Sequence, residues 1–176
     1  MSGTISQRYS LIGPMGAGKT TVGMGLSSAL NYKFIDMDKE IERSTGAEVS
    51  LIFEKEGEAG FRKREKRLLE GLLNKTSIVI STGGGIISDH SNREALKKTT
   101  TVIYLQCDPM TSLSRTRSDR KRPLLQNSDP LSKLEELFKV RENFYSETAH
   151  HTINVDNLSS KAVLTKILKT LQNGNS

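Results

Sequence analysis

Short apolar runs alternate along this chain with longer stretches in which apolar residues recur every three or four positions. The runs at 8–12, 33–36, 77–81, 101–105 and 151–155 predict β-strands. The segments between them predict helices over 18–30, 38–73 (interrupted), 90–98, 109–118, 130–148 and 158–172. In the last of these, Ala162, Val163, Ile167, Leu168 and Leu171 keep a mixed three- and four-residue spacing. Ile78-Val79-Ile80 and Val102-Ile103-Tyr104-Leu105 are apolar without alternation, as strands covered on both faces must be. The pattern predicts an α/β fold, a parallel five-stranded sheet sandwiched between helices in three layers, with ligands at the carboxyl ends of the strands.

No repeat, low-complexity tract or linker divides the 176 residues, so one domain with a sizeable core is expected. Its core segments are 1–37, 74–117 and 131–172. Residues 38–73 are long for one crossover and are broken by Gly57 and Gly60, so they read as an insertion. Residues 118–130 are polar and basic and contain Pro123 and Pro130; they read as a surface loop and candidate lid. The polar end, 172–176, reads as frayed.

The strongest chemical signal follows the first strand. Gly13-Pro14-Met15-Gly16-Ala17-Gly18-Lys19-Thr20 matches the phosphate-binding loop G-x-x-x-x-G-K-[ST], set between a predicted strand and a predicted helix. Glycines let the chain curl its N–H groups inward, and the helix N-terminus adds partial positive charge. Lys19 then reaches the outer phosphates and the Thr20 hydroxyl can sit on Mg²⁺. The motif predicts a nucleoside triphosphate ligand without saying where its γ-phosphate goes.

Composition narrows the class. Hydrophobic residues make up 35%, no apolar run reaches the length of a membrane span, and the first eight residues carry no signal-like apolar stretch, so a cytoplasmic protein is expected. The single Cys107 excludes an internal disulfide, argues against structural zinc, and reads as a small buried thiol at a strand end. His90, His150 and His151 lack ligand spacing. The net charge of +6 is concentrated in 61–67 and 115–122. That charge allows nucleic-acid binding, but equally fits an enzyme holding a nucleotide and an anionic second substrate. With no Trp and 5% aromatics, a stacking platform for single strands is poorly supplied.

Other candidates cluster at predicted strand ends. Asp36-Met37-Asp38 follows the second strand; in an extended segment both carboxylates share a face, one suited to Mg²⁺ and one to a substrate hydroxyl. Asp38 also reads as a helix N-cap. Gly83-Gly84-Gly85 after the third strand permits close approach of another molecule, or is a flexible turn. This strand lacks the terminal Asp of many P-loop ATPases, which shifts the metal role toward Asp36. Arg62 and Arg141 could each fork to a carboxylate, though composition alone does not separate them from solvated helix faces. Arg122, before Pro123, could close on a γ-phosphate.

Taken together, these residues closely resemble the shikimate kinases, small P-loop kinases of aromatic amino-acid biosynthesis, over nearly the whole chain. The resemblance implies a P-loop kinase fold, ATP and Mg²⁺, and transfer of the γ-phosphoryl of ATP to the 3-hydroxyl of shikimate. It implies that Gly13, Met15, Gly16, Ala17, Gly18, Lys19, Thr20 and Thr21 hold the nucleotide, with Arg115 near its base. Thr20, Asp36 through water, and Ser81 would serve the metal. Asp38, Arg62, Gly83, Gly84, Gly85 and Arg141 would hold shikimate, in Phe61-Arg62-x-x-Glu65 and Arg141-x-x-x-Tyr145. Lys19, Asp38 and Arg122 would carry catalysis. Leu158-Ser159 stands where the family commonly has a basic pair, so adenine contacts near Val155-Asp156-Asn157 are not carried over. The family further implies a monomer working on a small molecule without nucleic acid or membrane. The rival readings are another small metabolite kinase, such as a gluconate kinase, and a nucleotide-dependent nucleic-acid-binding regulator.

Overall fold

A computed structural model describes residues 7–117 and 129–173. Strands β1 (Arg8–Ile12), β2 (Lys33–Asp36), β3 (Ile78–Ser81), β4 (Thr101–Gln106) and β5 (His151–Asn154) form one parallel sheet in the order β2-β3-β1-β4-β5. Helices α1 (Lys19–Leu30), α2 (Met37–Thr45), α3 (Val49–Leu73), α4 (His90–Thr99), α5 (Pro109–Thr116), α6 (Pro130–Thr148) and α7 (Ser160–Asn173) connect or follow the strands. The α/β sandwich expected from the pattern is therefore present.

The side-chain alternation of each strand builds two cores. Tyr9, Leu11, Val79, Ile103, Leu105 and Ile153 point to the face covered by α1 and α7, where they meet Val22, Leu26, Val163 and Ile167. Ile12, Ile78, Ile80, Val102 and Tyr104 point to the other face and meet Leu69, Leu72, Leu96 and Tyr145 of α3, α4 and α6. Both faces bury apolar residues, so neither pattern in sequence shows polar alternation. Burying one such side chain contributes roughly 1.5–3 kcal/mol.

β1 is central. The chain runs to β2 and β3 on one side, then crosses to β4 and β5 on the other. Loops leaving β1 and β3 therefore lie side by side at the carboxyl edge, the crevice such sheets use for ligands.

Several element ends move by one or two residues from their sequence-based positions, two of them for a visible local reason. Ser77 is in the left-handed region (φ 52°), so β3 begins at Ile78. β5 stops at Asn154, whose Oδ1 accepts the Asp156 N–H at 2.9 Å and turns the chain. The predicted helix 109–118 has ended as a regular helix by Thr116. Within 38–73, Gly46 closes α2 in a left-handed cap, and α3 kinks at Gly57 (φ 70°, ψ −179°). Gly60 does not break the helix. Ile41, Ile52 and Phe61 form a separate small cluster there, with the Phe53 and Phe61 rings 4.7 Å apart.

Candidate active site

The loop between β1 and α1 is held open by backbone that only glycine adopts easily. Gly13, Gly16 and Gly18 have φ of 145°, 75° and 89°. Space is as restrictive as φ: a Cβ on Gly13 would stand 2.5 Å from the Leu105 carbonyl oxygen. Ser112 Oγ donates to the Met15 carbonyl at 2.9 Å, tying the loop to α5. Gly18 caps α1 without any side-chain hydrogen bond, so no side chain satisfies the first N–H groups of the helix at the cap, the arrangement that suits anion binding. Lys19 Nζ folds onto the Gly13 and Pro14 carbonyls at 2.7 and 2.8 Å. Ala17 is buried and Thr21 follows in the first turn of α1.

Beside this loop, Thr20 Oγ1 donates to Asp36 Oδ2 at 2.6 Å. The sequence reading of Asp36 to Asp38 as extended needs correction, because α2 starts at Met37. Asp36 is itself the N-cap, accepting the Lys39 N–H on Oδ1 at 3.2 Å, while Asp38 sits in the first helical turn. The two carboxylates therefore leave different sides of the start of α2 rather than sharing one strand face. Asp36 turns to Thr20, and Asp38 reaches toward Gly83, where a Cβ would lie 3.3 Å from its Oδ1. Ser81 is buried and lies in register with Asp36 on the neighbouring strand.

Among the described residues no group of three or more His, Cys, Asp or Glu could hold a metal ion alone. A Mg²⁺ ion carried by nucleotide phosphates needs less: one hydroxyl, one carboxylate and water. The Thr20–Asp36 pair beside the phosphate loop fits that requirement.

The glycine triplet after β3 is crowded by charged side chains. The Arg62 guanidinium lies directly against Gly85, where any Cβ would overlap it. Arg62 Nη1 donates to Glu65 Oε2 at 2.8 Å, and Nη2 and Nε reach Glu58 at 3.3 and 3.4 Å. Glu65 is fully buried (0% exposed), and its Oε1 has no hydrogen-bond partner among the described residues. Burial raises the Glu65 carboxyl above its ordinary range, Arg62 pulls it down, Asp38 pushes it up and Arg141 pulls it down. Glu65 and Asp38 both face Gly83, and Arg62 lies against Gly85. Burial works to lower the Arg62 guanidinium, but Glu65 and Glu58 outweigh it and raise it.

Arg141 stands on α6 and lines a cleft with Pro14, Met15, Leu134, Phe138 and Tyr145. The Tyr145 hydroxyl donates to the Gly84 carbonyl. A Cβ on Gly84 would lie 3.5 Å from the Gly13 oxygen and 3.7 Å from the Met15 nitrogen, so the triplet rests on the phosphate loop itself.

Arg115 bridges the phosphate loop to the segment after β5. Its Nη1 donates to the Gly16 carbonyl at 3.2 Å, and its Nη2 to those of Val155 and Leu158 at 2.9 and 3.3 Å. Arg122 and residues 118–128 of the candidate lid (118–130) lie outside the described residues, while Asp129 and Pro130 cap and begin α6. Glu65 and Tyr145 were not singled out from sequence as site residues. The only trace of their positions was spacing, three residues after Arg62 and four after Arg141, which places each on its arginine's side of the helix.

Comparison with known proteins agrees with this geometry. A family profile described as shikimate kinase matches residues 15–172. A shikimate kinase of Methylococcus capsulatus is 49% identical over 162 residues, covering 92% of this chain and 90% of the relative. A solved structure of shikimate kinase from Acinetobacter baumannii in complex with shikimate superposes with a TM-score of 0.94 at 45% identity, over 97% of this chain and 95% of the other. A deoxyadenosine kinase from M. mycoides with bound dATP, 16% identical with a TM-score of 0.63, shares the fold alone.

Proposed function

The chain belongs to the shikimate kinase family, and we propose how its own residues carry that family's reaction, transfer of the γ-phosphoryl of ATP to the 3-hydroxyl of shikimate to give shikimate 3-phosphate and ADP. Phosphoryl transfer demands alignment and charge neutralisation more than covalent help. The observation that carries the residue assignment is the seating of Gly84 on Gly13 and Met15, with Arg62 against Gly85 and Asp38 beside Gly83. The acceptor's binding groups thus adjoin the loop that would hold the donor's phosphates.

In this reading the N–H groups of Gly16, Gly18, Lys19, Thr20 and Thr21 cradle the phosphates, and Lys19 leaves the Gly13 and Pro14 carbonyls for the outer phosphate oxygens. Thr20 and Asp36 would hold Mg²⁺, Asp36 through water and with Ser81 nearby, and the ion would supply neutralising charge on the phosphates. Arg62 and Arg141 grip the shikimate carboxylate, each as a planar fork. Gly83 to Gly85 let the ring lie against the backbone, and Asp38 orients the attacking hydroxyl and accepts its proton. Arg122 is assigned to the transferring phosphoryl group, and Arg115 to the nucleotide side, on the family resemblance. We propose a cytoplasmic monomer that acts without nucleic acid or membrane; no described helix is long and apolar enough to cross a membrane.

The test is ADP release from Mg-ATP with shikimate, gluconate or no acceptor. Release that depends on shikimate and falls by about two orders of magnitude or more in Asp38→Asn supports the assignment. Asp38→Asn turning over at the parent rate would overturn the role given to Asp38.

A further inference from the structure

We propose that Glu142 is a positioning residue for the substrate clamp: its carboxylate locks α6 to the end of β4 and so fixes where Arg141 and Tyr145 meet the glycine triplet. The inference rests on the assignment of Arg141 to the shikimate carboxylate. Glu142 follows Arg141 directly and turns toward the sheet. Its Oε2 accepts the Tyr104 hydroxyl at 2.5 Å, and its Oε1 accepts Gln106 Nε2 at 3.1 Å and Ser146 Oγ at 3.3 Å. Tyr104 and Gln106 are two apart on β4 and share a face, so one carboxylate spans both. Tyr104 is fully buried, and its hydroxyl would find no water in place of this acceptor.

The grip sits at a consequential point of the sheet. Tyr104 is the register partner of Ile12, the last residue of β1 before the phosphate loop. The Tyr104 ring stacks on Tyr145, with centroids 4.9 Å apart and planes 17° from parallel. The Tyr145 hydroxyl then donates to Gly84, which rests on Gly13 and Met15. Glu142, Tyr104, Tyr145 and Gly84 thus form a continuous link from α6 through the sheet to both ligand loops. Arg141 lies one turn before Tyr145 on the same side of α6, and both line the same cleft beside Pro14 and Met15. A guanidinium at the end of a long side chain takes its aim from its helix. A small rotation of α6 would therefore spoil a two-point fork to a carboxylate while leaving the phosphate loop in place.

Steady-state kinetics in both substrates, with Tm for each variant, test this on Glu142→Ala, Glu142→Gln, Tyr104→Phe and Arg141→Ala. Glu142→Ala is expected to raise the shikimate KM about tenfold, with the ATP KM changed less than about twofold. Glu142→Gln, which keeps an acceptor for Tyr104, is expected to recover most of that loss. Tyr104→Phe is expected to move the shikimate KM in the same direction, and the Glu142→Ala/Tyr104→Phe pair to be no worse than its poorer member. Arg141→Ala checks the premise and should raise the shikimate KM more than any of these. If Arg141→Ala does so while a folded Glu142→Ala leaves the shikimate KM unchanged, the positioning role is wrong. A rise in both KM values alike would reduce Glu142 to general helix packing and also overturn it. If neither Arg141→Ala nor Glu142→Ala moves the shikimate KM, the clamp assignment itself fails. Should Glu142→Ala not fold, Glu142→Gln and Tyr104→Phe decide on the same two criteria.

Discussion

Arg62 and Gly85, on different elements, touch so closely that the guanidinium occupies the space a Cβ of Gly85 would need. The arginine can give way only by breaking its contacts with Glu65 and Glu58. Gly85→Ala is therefore expected to push Arg62 out of its clamp position. The φ of Gly85 (−96°) is open to any residue, so the effect would be steric and confined to this contact. The shikimate KM should rise about tenfold or more while the ATP KM stays near its parent value. Steady-state kinetics with each substrate varied in turn reads this directly, and equal rises in both would contradict it.

Glu65 makes a pH-dependent contribution whose sign can be worked out. Its folded pKa is raised above the ordinary 4.5, by burial first and by Asp38 against the pull of Arg62 and Arg141. A group with a raised folded pKa adds stability that is fully present below its unfolded pKa and is lost as pH rises through the folded value. Other carboxyls run the opposite way: Asp89, held down to about 2 by Ser91, Lys66 and backbone N–H groups, adds stability that is lost as pH falls toward that value. Comparing Glu65→Gln with the parent at each pH cancels those shared contributions. At pH 4, where the Glu65 carboxyl is protonated and Gln still offers Arg62 an acceptor, variant and parent should be close in stability, and the variant should gain on the parent as pH rises above 4.5. Each unit by which the pKa is raised corresponds to about 1.4 kcal/mol of that gain. Parallel Tm-against-pH curves for the two proteins would contradict it.

Much of this was legible in the chain because the relevant signals are local. The strand runs were readable since both sheet faces are buried, and Ile78-Val79-Ile80 could not alternate. The phosphate loop was readable since its three left-handed glycines have few substitutes. Asp36 and Asp38 were misjudged as one extended pair because propensity does not say which Asp caps α2; the Thr20 hydroxyl, distant in sequence, holds Asp36 at the cap position. The importance of Glu65 and Tyr145 was illegible for a similar reason. A buried carboxylate and a buried phenol acquire their roles from Gly83 and Gly84, which only the fold brings to them.

The Thr20–Asp36 contact predicts a metal-specific phenotype. Asp36→Asn keeps an oxygen to cap α2 and turns an amide N–H to the Thr20 hydroxyl, which can accept it, so folding should be preserved. What it loses is the negative charge that would bind the water shell of Mg²⁺. Activity measured against free Mg²⁺ at saturating ATP should shift to higher metal concentration by about tenfold, with the shikimate KM little changed. An unaltered Mg²⁺ dependence would remove Asp36 from the metal's surroundings.

Arg115 predicts the reciprocal pattern, a defect confined to the nucleotide. Its guanidinium is shared by three carbonyls, one on the phosphate loop and two on the segment after β5. No single ammonium can reproduce that planar spread, so Arg115→Lys should resemble Arg115→Ala more than the parent. None of the three carbonyls belongs to the glycine triplet or touches Arg62, so the shikimate KM should hold steady. The ATP KM should rise about tenfold, the size expected for losing hydrogen bonds from a charged group. Titration of each variant with ATP and then shikimate separates the two sides. A rise in the shikimate KM instead would mean that the loops are coupled through Gly84 more tightly than through Arg115.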